Sequence, residues 1–90
     1  MQEELDDIEL EVRKERVRQT LKFGQQNLDP FKFLAILGEE VGEVSRAAIE
    51  SFHWQSGRWN YEKLKHYREE LIQVAAVAKQ MVEAFDRGEW

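Results

Sequence analysis

The sequence predicts an all-α protein, an antiparallel helical bundle, on three observations. The chain of 90 residues has one proline and five glycines, so few residues interrupt helices. Apolar residues recur at spacings of three and four along three long segments. Helix-capping residues stand at the expected ends of these segments. A chain of this length is predicted to form one domain, residues 1–90.

The first predicted helix covers residues 3–24. Its apolar positions, spaced by three or four with one change of phase, are Leu5, Ile8, Val12, Val17 and Leu21. Residues 1–15 are dense in both acidic and basic side chains. This charged N-terminal helical arm is interpreted either as a solvated helix face or as an arm that forms a dimer.

The second predicted helix begins at Asp29-Pro30, with aspartate as N-cap and proline at the first helical position. It runs to about Phe52, with a seam of Leu34, Leu37, Val41, Val44 and Ala48. Gly38 and Gly42 lie inside it, and each costs about 1 kcal/mol relative to alanine. We therefore expect another backbone to approach the helix closely at these glycines.

The third predicted helix follows a loop over residues 53–60, in which Ser56-Gly57 forms the turn. Asn60 caps the helix and Gly88 ends it. The predicted seam is Leu64, Tyr67, Leu71, Val74, Ala78, Met81 and Phe85, and further apolar residues widen it. A helix that is apolar on most sides packs against more than one neighbour. We therefore expect a homo-oligomer, dimer or tetramer, in which a second subunit completes a four-helix core.

Composition narrows the classes of function. The formal net charge of −5 argues against a nucleic-acid polymer as partner. The absence of cysteine excludes disulfides and thiolate metal sites. No apolar run approaches the ~18 residues of a membrane span, and no signal peptide opens the chain, so a cytoplasmic location without membrane contact is the default expectation.

Three carboxylates, Glu39, Glu40 and Glu43, stand within the apolar second helix. Glu40 and Glu43 are three residues apart and therefore share one helix face. Glu70 lies in the apolar third helix and could approach them from across a helix pair. Half-buried carboxylates repel each other and are costly to desolvate, and a divalent cation is the simplest compensation.

These residues resemble the motifs of the MazG-like all-α nucleoside triphosphate pyrophosphohydrolases, in particular the short phage and bacterial members. That family carries E-E-x-x-E, a gap, and then E-x-x-D, and here residues 44–69 separate Glu43 from Glu70. The resemblance covers roughly residues 16–87. It departs from the family at Gln73, which stands at the aspartate position and offers a carbonyl oxygen but no charge.

The resemblance implies Mg²⁺-dependent hydrolysis of a nucleoside or deoxynucleoside triphosphate to the monophosphate and pyrophosphate. Glu40, Glu43 and Glu70, with Gln73 as a weak ligand, would hold Mg²⁺, with Mn²⁺ as an alternative. Glu39 is the candidate catalytic residue that positions or deprotonates the attacking water.

Substrate contacts are expected from two groups of side chains. The candidates for the phosphates are Lys22, Arg46 and Lys79, and those for the base are Phe23, Gln26 and Trp54. Alternatives stay open: Phe23 and Trp54 could plug the ends of the bundle, and Arg46 could form a salt bridge with Glu43 or Glu50.

Two other functions compete with the enzyme. The chain could be a nucleotide- or metal-binding member of the same fold, impaired in catalysis by Gln73. It could also be a structural protein in which the third helix serves oligomerisation and the carboxylates are solvated.

Overall fold

The computed structural model describes residues 2–88, with the side chains of residues 7–88. This part of the chain forms three α-helices and one short hairpin. They are α1 (Gln2–Phe23), α2 (Pro30–Ser51), β1 (Phe52–His53), β2 (Arg58–Trp59) and α3 (Tyr61–Arg87). The predicted all-α class is confirmed, and the four-helix core shared with a second subunit stays a prediction.

Local capping chemistry sets the helix boundaries. The Asp29 side chain accepts a hydrogen bond from the Lys32 backbone N–H at 2.9 Å, and Pro30 occupies the first turn of α2. The Asn60 side-chain oxygen accepts hydrogen bonds from two backbone N–H groups in the first turn of α3. Gly88 ends α3 in the left-handed conformation, with φ of 65°. The predicted starts of α2 and α3 and the end of α3 are confirmed.

The segment predicted as a loop between α2 and α3 contains a small antiparallel hairpin. Phe52 pairs with Trp59, and the aromatic side chains pack edge to face with ring centroids 4.8 Å apart. Gly57 has a φ of +69°, and its N–H donates to the His53 carbonyl at 2.8 Å. The tight reversal lays α3 antiparallel along α2.

The core lies between α2 and α3, which form the largest helix contact. Its buried apolar side chains are mostly small: Phe33, Ala47, Ala76, Val77 and Ala84. The predicted seams of both helices hold only in part: Leu37 and Tyr67 are half-buried, whereas Leu34 is 58% exposed and Val41 and Leu71 are also exposed. Both helices carry apolar residues on more than one side, so spacing alone does not identify the stripe that faces the same chain.

Helix α1 packs mainly on α3. Two ion pairs join them: Arg16 with Glu83 at 2.8 Å and Arg68 with Glu11 at 2.7 Å. The predicted apolar seam of α1 was wrong in its C-terminal half, where Val17 is 58% and Leu21 83% exposed. Leu5, at the start of that seam, lies outside the described side chains, as do the other side chains of the first six residues of the N-terminal arm.

The two glycines within α2 do not meet another backbone in the described chain. A Cβ added at Gly38 or Gly42 would have no neighbouring atom within 4 Å. The close approach expected from the sequence is therefore absent within residues 2–88. Leu34, Gly38, Val41, Gly42 and Ile49 instead form an exposed stripe, which we call the α2 outer face.

Candidate functional site

Acidic side chains from all three helices lie within electrostatic reach of one another. Burial is the largest cause that raises the pKa of Glu40, followed by the negative charges of Glu70, Glu43, Glu15 and Glu39, in that order. Antiparallel packing of α2 and α3 brings Glu70 towards Glu40, and Glu15 comes from α1. We call these five residues the acidic cluster.

The members of the acidic cluster differ in their partners. Glu70 is 7% exposed, and its carboxylate lies 3.4 Å from His66 Nε2. Glu43 has a distant contact of 4.0 Å with Arg46. By contrast, the Glu40 Oε2 atom is buried and has no hydrogen-bond partner among the described residues. A buried carboxylate oxygen without a donor is costly, so Glu40 is the position in the cluster that most requires a cationic partner.

The side chains do not form a finished coordination shell. Within the described residues, no group of three or more histidine, aspartate or glutamate side chains is arranged to hold a metal ion. The donor chemistry nevertheless fits Mg²⁺, which prefers hard oxygen ligands and commonly uses one or two carboxylates with water and substrate phosphates. Glu40 Oε2, which has no hydrogen-bond partner among the described residues, is free to make such a contact.

A cleft of about 440 Å³ opens beside the acidic cluster. All three helices and the segment after α1 contribute to its wall. Six predicted site residues lie there: Lys22, Phe23, Gln26, Glu39, Glu40 and Gln73. We call it the central cleft, and its volume falls in the range of small-molecule sites.

The central cleft has walls of opposite charge. Helix α1 contributes Arg18 and Lys22, which are four residues apart and therefore share a helix face. Helix α2 contributes Glu39 and Glu40. The Lys22 ammonium lies 5.1 Å from the centroid of the Phe23 ring. A ligand that carries both a cation and phosphate groups would match this arrangement.

Hydrogen bonds to α3 anchor the segment after α1. Gln80, which is 7% exposed, donates to the side-chain oxygen of Gln26 at 3.2 Å. Arg87 donates to the Asn27 side-chain oxygen at 2.8 Å and to the Gln26 carbonyl. These contacts fix Gln26 at the wall of the central cleft.

Three predicted substrate-binding residues do not line the central cleft. Trp54 lies on the hairpin, edge to face with Phe52 at 4.7 Å between ring centroids, beside a separate apolar depression. Lys79 lines another depression, which it shares with residues of α1. Arg46 is exposed on α2 and contacts Glu43. The structure therefore separates these three residues from Lys22, Phe23 and Gln26.

The contribution of Glu15 and Arg18 was not predicted from the sequence. Arg18 donates to both carboxylate oxygens of Glu15, and this contact, with a smaller contribution from Glu40, raises the pKa of Arg18. A signal was present, because Glu15, Arg18, Gln19 and Lys22 follow the spacing of one helix face. Because this segment mixes acidic and basic residues, its pattern was interpreted as that of a solvated surface.

Comparison with known proteins gave no match to a protein-family model, to a curated protein or to a solved structure. The resemblance to MazG-like enzymes therefore remains a prediction from the motif residues. No helix in the described part of the chain combines the length and apolar character that crossing a bilayer requires.

Proposed function

We propose that this protein is a Mg²⁺-dependent nucleotide pyrophosphohydrolase of the MazG-like type. It hydrolyses a nucleoside or deoxynucleoside triphosphate to the monophosphate and pyrophosphate. The observation that carries the proposal is the buried, unpartnered carboxylate oxygen of Glu40 amid other carboxylates, at a cleft to which α1 also contributes Arg18 and Lys22. That combination favours a substrate that brings both a divalent cation and phosphate groups.

Glu40, Glu43 and Glu70 would hold the cation, with the Gln73 carbonyl as a weaker ligand. Bound Mg²⁺, or Mn²⁺ in its place, supplies charge neutralisation for the triphosphate and for the pyrophosphate that leaves. Side chains from the other wall of the cleft complete substrate binding. Lys22 binds phosphate oxygens, while Phe23 and Gln26 contact the base.

Glu39 acts on the attacking water. It is exposed at the wall of the central cleft, next to Glu40 in sequence but offset around the helix. Its carboxylate accepts a proton from the water as the oxygen forms a bond to the α-phosphorus. The bond between the α-phosphorus and the bridging oxygen breaks in line, and pyrophosphate leaves.

A second copy of the chain is the proposed partner for the exposed apolar residues. Leu34, Val41 and Ile49 on the α2 outer face are between 47% and 59% exposed, and Val82 on α3 is 59% exposed. Since these side chains are already about half buried, covering the rest is favourable by roughly 1 kcal/mol each. A homodimer or tetramer that covers these residues would complete the helical core.

One observation favours a rival function. Gln73, at the position where the family has aspartate, lines the central cleft, so one charge is missing from the proposed metal site. A nucleotide- or metal-binding protein without turnover would have this property. A purely structural oligomer is the remaining alternative, and it predicts no effect of Mg²⁺ on the melting temperature.

The test is product analysis with a panel of nucleoside and deoxynucleoside triphosphates, with Mg²⁺ or Mn²⁺. Phosphorus NMR distinguishes a nucleoside monophosphate with pyrophosphate from a nucleoside diphosphate with orthophosphate. Glu50→Gln is a matched control, because Glu50 is exposed on the same helix outside the cleft. We expect pyrophosphate from wild type and Glu50→Gln, and none from Glu40→Gln. Full activity of a folded Glu40→Gln variant would contradict the mechanism. If wild type binds nucleotide but does not hydrolyse it, the binding protein without turnover is favoured instead.

A further inference from the structure

An arginine at the wall of the central cleft is held by a neighbouring carboxylate. Arg18 Nε donates to Glu15 Oε1 at 3.0 Å and to Oε2 at 3.1 Å, and Arg18 Nη2 also donates to Oε2. Gln19 donates to the same Oε2 at 3.3 Å. The Glu15 side chain is only 14% exposed, whereas that of Arg18 is 56% exposed. Glu15 is therefore the fixed member of the pair, and Arg18 is the member with room to move.

Arg18 borders two neighbouring depressions. It lines the central cleft, and it also lines a cleft of about 360 Å³ between α1 and α3 that Glu15 shares. Rotation of its side chain would move the guanidinium from Glu15 into the central cleft without movement of α1. Lys22 lies one helical turn further along α1 and lines the central cleft together with Glu39 and Glu40 of α2.

We propose that Arg18 binds the triphosphate of the substrate, and that Glu15 holds the guanidinium at the cleft until substrate phosphate displaces it. This inference rests on the proposed function. A guanidinium presents a planar fork that carboxylate and phosphate oxygens bind in the same bidentate manner. Glu15 and the phosphate groups therefore compete for one group of donors.

The competition gives the two members of the ion pair opposite effects on binding. Inorganic tripolyphosphate is the probe, measured by calorimetry with Mg²⁺. We expect Arg18→Gln to weaken its binding about tenfold to a hundredfold, the range for lost hydrogen bonds to a charged group. Glu15→Gln is expected to tighten binding by up to about fivefold, the upper range for an exposed ion pair. Arg18→Lys, which keeps the charge without the fork, should fall between wild type and Arg18→Gln.

Glu62 and Lys65 provide the matched control, because they form an exposed pair with the same spacing on α3, outside the cleft, at 3.3 Å. Glu62→Gln and Lys65→Gln should leave the affinity within about twofold of wild type, since neither side chain lines the central cleft. Circular dichroism establishes that each variant is folded. If Glu15 acts by holding Arg18, Glu15→Gln should tighten binding in wild type but not in the Arg18→Gln background. Equal tightening in both backgrounds, or effects of the same sign in the two single variants, would overturn the proposal.

The outcomes separate this inference from the proposed function. If wild type releases pyrophosphate but Arg18→Gln binds tripolyphosphate and nucleotide as wild type does, Arg18 has no such role and the enzyme assignment stands. If wild type neither binds Mg²⁺-tripolyphosphate nor turns over any nucleotide, both proposals fail. Binding of a nucleoside without phosphates should be the same in Arg18→Gln and wild type, and a loss there would also contradict phosphate binding by Arg18.

Discussion

Replacing both glycines within α2 by alanine should stabilise the isolated chain. Neither Gly38 nor Gly42 has a positive φ, and an added Cβ would meet no atom within 4 Å at either position. Alanine is favoured over glycine by about 1 kcal/mol in a helix interior. The double variant should therefore gain about 2 kcal/mol, and a chain of this size would melt roughly 8–16 °C higher.

The same variant tests whether a second copy packs on the α2 outer face. Urea unfolding followed by circular dichroism at low protein concentration gives the stability of the single chain. Analytical ultracentrifugation over a concentration series gives the association. We expect unfolding of the dilute chain to require more urea, while the added methyl groups weaken self-association. Gly24→Ala is the contrasting control, because Gly24 has a φ of +74° and alanine there should cost about 1–2 kcal/mol.

Two results would refute this reasoning. A dilute double variant less stable than wild type would mean that another part of the same chain lies against these glycines. Unchanged association of a stabilised double variant would mean that a second copy does not pack at the glycines.

Three further predictions concern single residues. Without divalent cation at neutral pH, Glu40→Gln should stabilise the fold, because burial and neighbouring carboxylates raise the pKa of Glu40 and make its ionised form unfavourable in the folded state. As the pH falls towards the unperturbed glutamate pKa of 4.5, Glu40 is protonated in the folded state before it is protonated in the unfolded chain. The gain in unfolding free energy of Glu40→Gln over wild type, measured by urea titration, should therefore shrink. A gain that grows on acidification would contradict this. Asn60→Ala should lower the free energy of unfolding by about 1 kcal/mol, because two backbone N–H groups lose their acceptor. Asn60→Asp keeps an acceptor oxygen there and should retain most of the wild-type stability. Gln73→Asp should increase Mg²⁺ affinity and pyrophosphate release while lowering stability without metal; unchanged metal affinity would mean that position 73 does not face the ion.

Helix boundaries could be predicted from sequence because they depend on local chemistry. Asp29 and Asn60 each accept hydrogen bonds from backbone groups within the next three residues, and Gly88 adopts a conformation that other residues disfavour. The hairpin between α2 and α3 escaped prediction because its strands are only two residues long. Ser56-Gly57 indicated the turn but gave no pairing register.

The packing faces could not be predicted in the same way. Leu34 and Phe33 are adjacent apolar residues on α2, yet only Phe33 is buried. Which of two apolar stripes faces α3 depends on tertiary contacts that periodicity does not contain. For the same reason, helix spacing placed Glu40 and Glu43 on one face, whereas the approach of Glu15 from α1 required the fold.

The proposal depends most on whether Glu40 and its neighbours hold a divalent cation. Electron paramagnetic resonance measures this directly, because Mn²⁺ loses its free-ion signal when it binds the protein. At neutral pH we predict saturable Mn²⁺ binding by wild type and by Glu50→Gln, competition by Mg²⁺, and loss of binding in a folded Glu40→Gln variant. No binding by wild type, or equal binding by Glu40→Gln, would contradict the assignment.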